Sequence, residues 1–208
     1  MKGALSLDVE YSRGKLWHNH KQDELIVTRG EQAMRYVEVR RHTGRDKPNP
    51  HVNQAGVALA RRTGESMGPF ARVLSSPAPR CIETALAMGF AVTDEATELR
   101  PYGEDVEREV MGETSFTDWS RAYNRGGAAA RFAKHQARYW GQIAGALPEG
   151  GAALAVTHGG VIELGAIGCL PEADHEAWGE ALWVCEGVRV SFDGDAPVHV
   201  EILRVERE

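Results

Sequence analysis

Four side chains are of the kinds that handle phosphoryl groups: the adjacent pair Arg41 and His42, then Arg80, then His158. A guanidinium presents a planar fork that matches phosphate oxygens two at a time. A neutral imidazole is a competent nucleophile near neutral pH, because its ordinary pKa lies there. A second imidazole can donate a hydrogen bond to the same group. Phosphoryl transfer asks mainly for positioning and for stabilisation of charge on the equatorial oxygens. A departing alkoxide also needs a proton, so a carboxylic acid should overlook the same pocket. Taken singly, each residue has a bland reading. An Arg-His pair is usually surface or core packing, and a histidine before two glycines can be a buried, capped ring.

Their weight comes from the elements that carry them. Tyr36-Val37-Glu38-Val39-Arg40 alternates and is β-branched, which predicts a strand ending at Arg41-His42. Turn residues fill Gly44 to Pro50, and a helix is predicted from Gln54 to Arg62 with Asn53 as its N-cap. A strand over Ala71 to Ser75 leads through Ser76-Pro77-Ala78-Pro79 into a helix from Arg80 to Met88, closed by Gly89. A helix from Ala128 to Leu147 precedes an apolar strand, Ala152 to Val156, that reads as buried on both faces. Thr157-His158-Gly159-Gly160 then turns into an apolar helix, Val161 to Leu170. Val184 to Phe192 and Val198 to Val205 read as a hairpin about Asp193-Gly194.

This order predicts an α/β fold, a three-layer sandwich whose mainly parallel central sheet is covered by helices on both faces. In such sheets ligands bind beyond the carboxyl ends of the strands, which is where all four groups fall. Helix N-termini after two of these loops would add N–H donors and positive dipole ends. Residues 1–33 show no clean period and are expected to form an N-terminal extension, with residues 34–208 as the catalytic domain. The opposing reading makes Leu25-Ile26-Val27-Thr28 an edge strand or a cover for the sheet.

The motifs, in order, resemble the histidine phosphatase superfamily, which includes the cofactor-dependent phosphoglycerate mutases. Val39-Arg40-Arg41-His42-Thr43-Gly44 is similar to its opening Arg-His motif, and Val52-Asn53-Gln54-Ala55-Gly56 loosely matches its next landmark. Ser75-Ser76-Pro77-Ala78-Pro79-Arg80-Cys81-Ile82-Glu83-Thr84-Ala85 matches the second-arginine motif in full, and Val156-Thr157-His158-Gly159-Gly160-Val161-Ile162 matches the last. Glu98-Leu99-Arg100-Pro101-Tyr102-Gly103 resembles the family's acid-bearing stretch with one residue added.

The resemblance implies that His42 is the phosphorylated nucleophile, that Arg41, Arg80 and His158 bind the phosphoryl group, and that Glu98 is the proton donor. Asn49 is offset by one position from the family's asparagine and is the candidate for a further substrate contact. Thr43 stands where the family has Gly or Ala and adds bulk beside the nucleophile. The activity implied is phosphomonoester hydrolysis through a phosphohistidine. The alternatives are a phosphoglycerate-type mutase, or an inactive phospholigand-binding protein, which Thr43 keeps open. Family mutases carry longer insertions, whereas here only about sixty residues separate Glu98 from His158 by the numbering.

Composition narrows the field. The 208 residues are 42% hydrophobic and 26% charged, the balance of an ordinary globular protein. A net charge of −6 argues against a nucleic-acid partner, and no apolar run reaches membrane-spanning length. The expected partner is a small phosphorylated substrate; oligomeric state leaves no mark on the sequence. Cys81, Cys169 and Cys185 share no CxxC spacing, which fits a reducing cytoplasm. No cofactor or metal is implied, since the histidine and arginines supply nucleophile and charge. His18 and His20 are too few for a metal site without further ligands. Arg131, Lys134 and Arg138 read as a solvated helix face, and Cys81 as a small packing residue.

Overall fold

The structure, a computed structural model, describes residues 34–206. The extension over residues 1–33, with its Leu25–Thr28 segment and the His18 and His20 pair, lies outside the described residues.

Six strands form one sheet: β1 (Arg35–Arg41), β2 (Arg72–Ser75), β3 (Asp94–Glu95), β4 (Ala152–Thr157), β5 (Gly187–Asp193) and β6 (Ala196–Leu203). Their spatial order is β3-β2-β4-β1-β5-β6. The first four are parallel, while β5 runs antiparallel to β1 and β6 antiparallel to β5. The mainly parallel sheet is therefore present, with an antiparallel hairpin at one edge. Gly194 turns that hairpin at φ +67°, a left-handed conformation that suits glycine.

Helices cover both faces. Two of them, α1 (Gln54–Gly64) and α2 (Pro79–Ala87), pack together on one face, where Val73, Leu154 and Val156 meet Cys81 and Ala85. On the other lie α5 (Ala128–Gly145) and α6 (Val161–Cys169), over Val37, Val39, Leu74, Ala153 and Ala155. Alternate residues of β4 thus serve opposite layers, as the two-residue strand period requires. Fully burying a side chain such as Leu154, Ile162 or Phe192, each 0% exposed, contributes roughly 1.5–3 kcal/mol. Asn53 caps α1 as expected, accepting from the Gly56 N–H at 2.8 Å.

Two short helices lie between β3 and α5: α3 (Glu104–Val110) and α4 (Phe116–Asn124). Ser115 and Asp118 close a capping box at the start of α4, so its origin is local as well as tertiary. No helix among the described residues is long and apolar enough to cross a membrane.

Candidate active site

β4 lies between β1 and β2, so the loops leaving the carboxyl ends of these three strands are neighbours. The first carries Arg41 and His42, the second leads to Arg80, and the third carries His158. Backbone bonds lock them together. The His42 N–H donates to the Thr157 carbonyl at 2.9 Å, and the Ser76 N–H to the Val156 carbonyl at 2.9 Å. All four groups line one cavity of about 560 Å³, shared with Thr43, Gly44, Arg45, Lys47, Pro101, Tyr102, Glu107, Gly159 and Val184.

Hydrogen bonds fix the chemistry of each ring. His42 Nδ1 lies 2.8 Å from the Thr43 carbonyl, which can only accept, so this nitrogen carries the proton. His42 Nε2 accepts from Arg80 Nε at 3.1 Å and therefore holds the lone pair toward the cavity. The other arm of the Arg80 fork donates from Nη2 to His158 Nδ1 at 3.1 Å. That assigns the His158 proton to Nε2, which is 3.0 Å from Ser76 Oγ. One guanidinium thus bridges both imidazoles, whose ring centroids are 5.3 Å apart.

The Thr43 carbonyl that orients His42 is itself held. The Thr43 N–H donates to Thr84 Oγ1 at 3.0 Å, and its hydroxyl donates to the Gly56 carbonyl at 2.9 Å. Thr84 in turn donates to the Arg80 carbonyl at 2.6 Å. Thr43 is fully buried, so its bulk tethers the His42 loop to α1 and α2, and its hydroxyl is engaged with Gly56.

Arg41 is placed by a different network. Its Nη1 donates to the Leu182 carbonyl at 2.5 Å, while its Nε is buried without a partner. The Leu182 N–H donates to Glu163 Oε1 at 2.9 Å, and the Gly160 N–H to Glu163 Oε2 at 2.5 Å. Glu163 is 1% exposed, so one buried carboxylate ties the His158 loop to the segment that grips Arg41. The two glycines have steric reasons. A Cβ on Gly159 would lie 2.8 Å from the Arg41 guanidinium carbon, and one on Gly160, at φ +81°, would strike Tyr102 and Trp119.

Burial lowers the pKa of His42 to about 4, aided by the positive charges of Arg80, Arg41 and Arg45 and opposed by its bond to the Thr43 carbonyl. Burial likewise lowers His158 to about 3, with Arg80, His42, Arg41 and Arg45 adding to the effect. Both rings are therefore neutral at physiological pH, the state a nitrogen nucleophile requires. Burial raises the Cys81 thiol to about 12, which marks it as an inert packing group.

Arg41, His42, Arg80 and His158 converge as the sequence predicts. Glu98 does not join them. It is exposed on the 3₁₀ turn Thr97–Leu99, its carboxylate takes a bond from Thr97 at 3.3 Å, and it is absent from the cavity wall. The carboxylate that does line the cavity is Glu107, on the first turns of α3. Asn49 also stays off the wall: its side chain accepts from the His51 N–H at 3.0 Å, closing a turn, and its carbonyl accepts from Arg45 at 2.8 Å. The expected helix N-terminal donors are partly committed elsewhere. The Gly160 N–H goes to Glu163 and the Cys81 N–H to the Ala78 carbonyl. Ser76 and Thr84 were legible within their motif, whereas Glu163 and Leu182 act through contacts that only folding creates.

An α/β sandwich with two imidazoles bridged by an arginine at the strand ends is a phosphoryl-transfer scaffold. The sequence matches the histidine phosphatase superfamily (branch 1) over residues 30–203, and the chain belongs to that superfamily. Solved structures share the fold at low identity. Phosphoserine phosphatase from Entamoeba histolytica, in complex with 3-phosphoglyceric acid, aligns with TM-score 0.63 and 15% identity over 83% of this chain and 98% of its own. A mycobacterial glucosyl-3-phosphoglycerate phosphatase gives 0.59 and 16%, covering 84% and 100%. Phosphoglycerate mutase from Bacillus anthracis gives 0.58 and 16%, covering 84% and 93%. No curated relative matches the chain by sequence.

Proposed function

We propose that the protein hydrolyses a small phosphomonoester through a phosphohistidine on Nε2 of His42. The observation that carries this is the fixed tautomer: the Thr43 carbonyl holds the proton on Nδ1 and leaves the Nε2 lone pair in the cavity, 3.1 Å from Arg80. The lone pair attacks phosphorus in line, the N–P bond forms, and the ester P–O bond breaks. The donors of Arg80 pass from the imidazoles to the equatorial oxygens, joined by Arg41 with its buried, unpartnered Nε. A phosphoryl dianion among these groups reverses the local field and favours a protonated, donating His158. We assign the proton donor to Glu107, the carboxyl of the cavity wall. In the second half-reaction Glu107 takes a proton from water, the water oxygen bonds to phosphorus, and the N–P bond breaks to release inorganic phosphate.

The short span between the 3₁₀ turn and β4, filled by α3, α4 and α5 alone, supports hydrolysis over transfer to a second substrate molecule. The three cysteines are buried and unpaired, which supports a cytoplasmic setting. A panel of phosphorylated metabolites assayed for phosphate release, with and without His42→Ala, tests the reading. We expect release by the native protein alone, and a phosphate on the protein that survives an alkaline quench and is lost in acid. Activity undiminished in His42→Ala would overturn the covalent route, and isomerised product without free phosphate would make the protein a mutase.

A further inference from the structure

Four cations line the cavity, Arg41, Arg45, Lys47 and Arg80, against one carboxylate, Glu107. Arg41 and Arg80 sit at the imidazoles and suffice for a phosphoryl dianion. Arg45 and Lys47 lie beyond them, on the loop that follows the nucleophile. Arg45 is half-buried, and one arm of its fork is pinned at 2.8 Å to the Asn49 carbonyl. Its other donors have no partner among the described residues, and neither do those of Lys47. The acid between them in sequence, Asp46, accepts from Asn53 Nδ2 at 2.8 Å, on the side of α1. Arg45 lines the same cavity as His42 and His158.

The volume fits more than a phosphoryl group. Sites of about 300–1,000 Å³ hold whole small molecules, and this one is about 560 Å³. Walls on the remaining sides are Pro101, Tyr102 and Val184, which offer apolar contact. A solvated loop carrying two stray charges would be the bland account. It does not explain why Arg45, held by its own loop, lines the same cavity as the two imidazoles.

We propose that Arg45 and Lys47 form a second anion site, which selects phosphomonoesters that carry a further carboxylate or phosphate a few bonds from the ester. The inference rests on the reading of Arg41, His42, Arg80 and His158 as the phosphoryl pocket. Arg45 supplies the planar fork and Lys47 a movable point charge, a combination that accepts either group. The acid on Glu107 then works on an ester oxygen held at both ends, so the second site contributes to orientation as well as to affinity.

Non-hydrolysable ligands separate this from turnover. Binding of 3-phosphonopropanoate, propylphosphonate and ethylenebisphosphonate to the full chain is measured by calorimetry at low salt. The first two differ only by carboxylate against methyl at the far end. At least one of the two doubly anionic ligands should bind about tenfold tighter than propylphosphonate, the scale of one well-made charged contact. The tighter of the two names the group. In the double variant Arg45→Gln, Lys47→Gln the ratio should fall to near one, while Arg45→Lys retains part of it. Affinities within about twofold of each other in the native protein, or a preference that survives the double variant, would overturn the site. So would failure of all three to bind while His42-dependent hydrolysis is intact. Because the analogues do not react, an absence of hydrolysis would sink the phosphatase reading and still leave this ratio to be read.

Discussion

Glu163→Gln is the most discriminating perturbation of the scaffold, because the two side chains have one shape. In the native protein each carboxylate oxygen accepts a backbone N–H, from Gly160 at 2.5 Å and Leu182 at 2.9 Å. Glutamine keeps one acceptor and turns an N–H₂ group toward the other donor. A buried backbone donor left without a partner costs about 1–3 kcal/mol, and the surviving bond loses charge assistance worth about 1 kcal/mol. Removing a buried charge returns part of this, since burial already pushes the Glu163 carboxyl upward in pKa. The net expectation is a loss of about 2 kcal/mol, which at this chain length lowers Tm by roughly 4–8 °C. The catalytic effect follows from Leu182, whose carbonyl grips Arg41 Nη1. A loosened Arg41 should lower kcat/KM by about tenfold, less than the 10²–10³ typical of deleting a transition-state donor outright. Thermal melts and steady-state kinetics read both numbers, and a double-mutant cycle reads the mechanism. If Glu163 acts through Arg41, its effect on kcat/KM should vanish in an Arg41→Gln background. A melting temperature within about 1 °C of native, or equal kinetic losses with and without Arg41, would refute the chain of contacts from Glu163 through Leu182 to Arg41.

Arg80→Ala should reduce kcat/KM several hundredfold, a loss of about 3–4 kcal/mol, and Arg80→Lys should recover only part, since one ammonium cannot span both imidazoles; full recovery by lysine would show that charge alone suffices. Glu107→Gln should impair substrates with poor leaving groups far more than p-nitrophenyl phosphate, while Glu98→Gln changes neither by more than about twofold; the reverse pattern would return the acid to Glu98. The ring protons of His42 should titrate by NMR near pH 4 instead of 6.5. Because the unfolded chain takes up that proton near pH 6.5 and the native state does not, stability should fall as pH drops from about 6.5 toward 4, then level off; a melt insensitive to pH across that window would argue against buried neutral histidines. A chain beginning at Met34 should keep full activity and melt within a few degrees of native if, as proposed, every catalytic group lies in residues 34–208; lost soluble expression would make residues 1–33 structural.

The parts of this fold that were legible before folding are those with local cause. β1 and β4 announce themselves by period and β-branched or continuous apolar runs, and α1 by its Asn53 cap. The hairpin follows from Asp193-Gly194 between two apolar runs. At seven residues α3 gives too few turns for a helical period to rise above the background, and α4 was passed over although its buried Phe116, Trp119 and Ala122 fall at helical spacing. The Ser115-to-Asp118 box was a second signal for α4, and it is short and polar.

The same division runs through the site. Arg41, His42, Arg80 and His158 could be named because each sits in a fixed relation to a strand end, and the sheet brings strand ends together whatever lies between. An acid carried by a connecting segment has no such anchor. The Thr157 hydroxyl bonds the Leu99 carbonyl at 2.6 Å, and Gln136 bonds the carbonyl of Glu98 at 2.7 Å, so the backbone of this turn is pinned against β4 and α5. With that backbone pinned, the Glu98 side chain remains exposed beside Thr97, and the chain must run on through Pro101 and Tyr102 before α3 turns Glu107 onto the cavity wall. Glu104 and Glu107, three residues apart on α3, are both exposed, and Glu107 is the one that lines the cavity. The proposed phosphoryl pocket is thus written in the sheet and the proposed proton donor in the connection. Exchange of the segment from Arg100 to Val110 between members of this superfamily should therefore alter leaving-group dependence and leave phosphorylation of His42 by an activated ester intact. Loss of that phosphorylation on exchange would show that the connection also holds the nucleophile, against the bonds that tie His42 to Thr157 and Thr43.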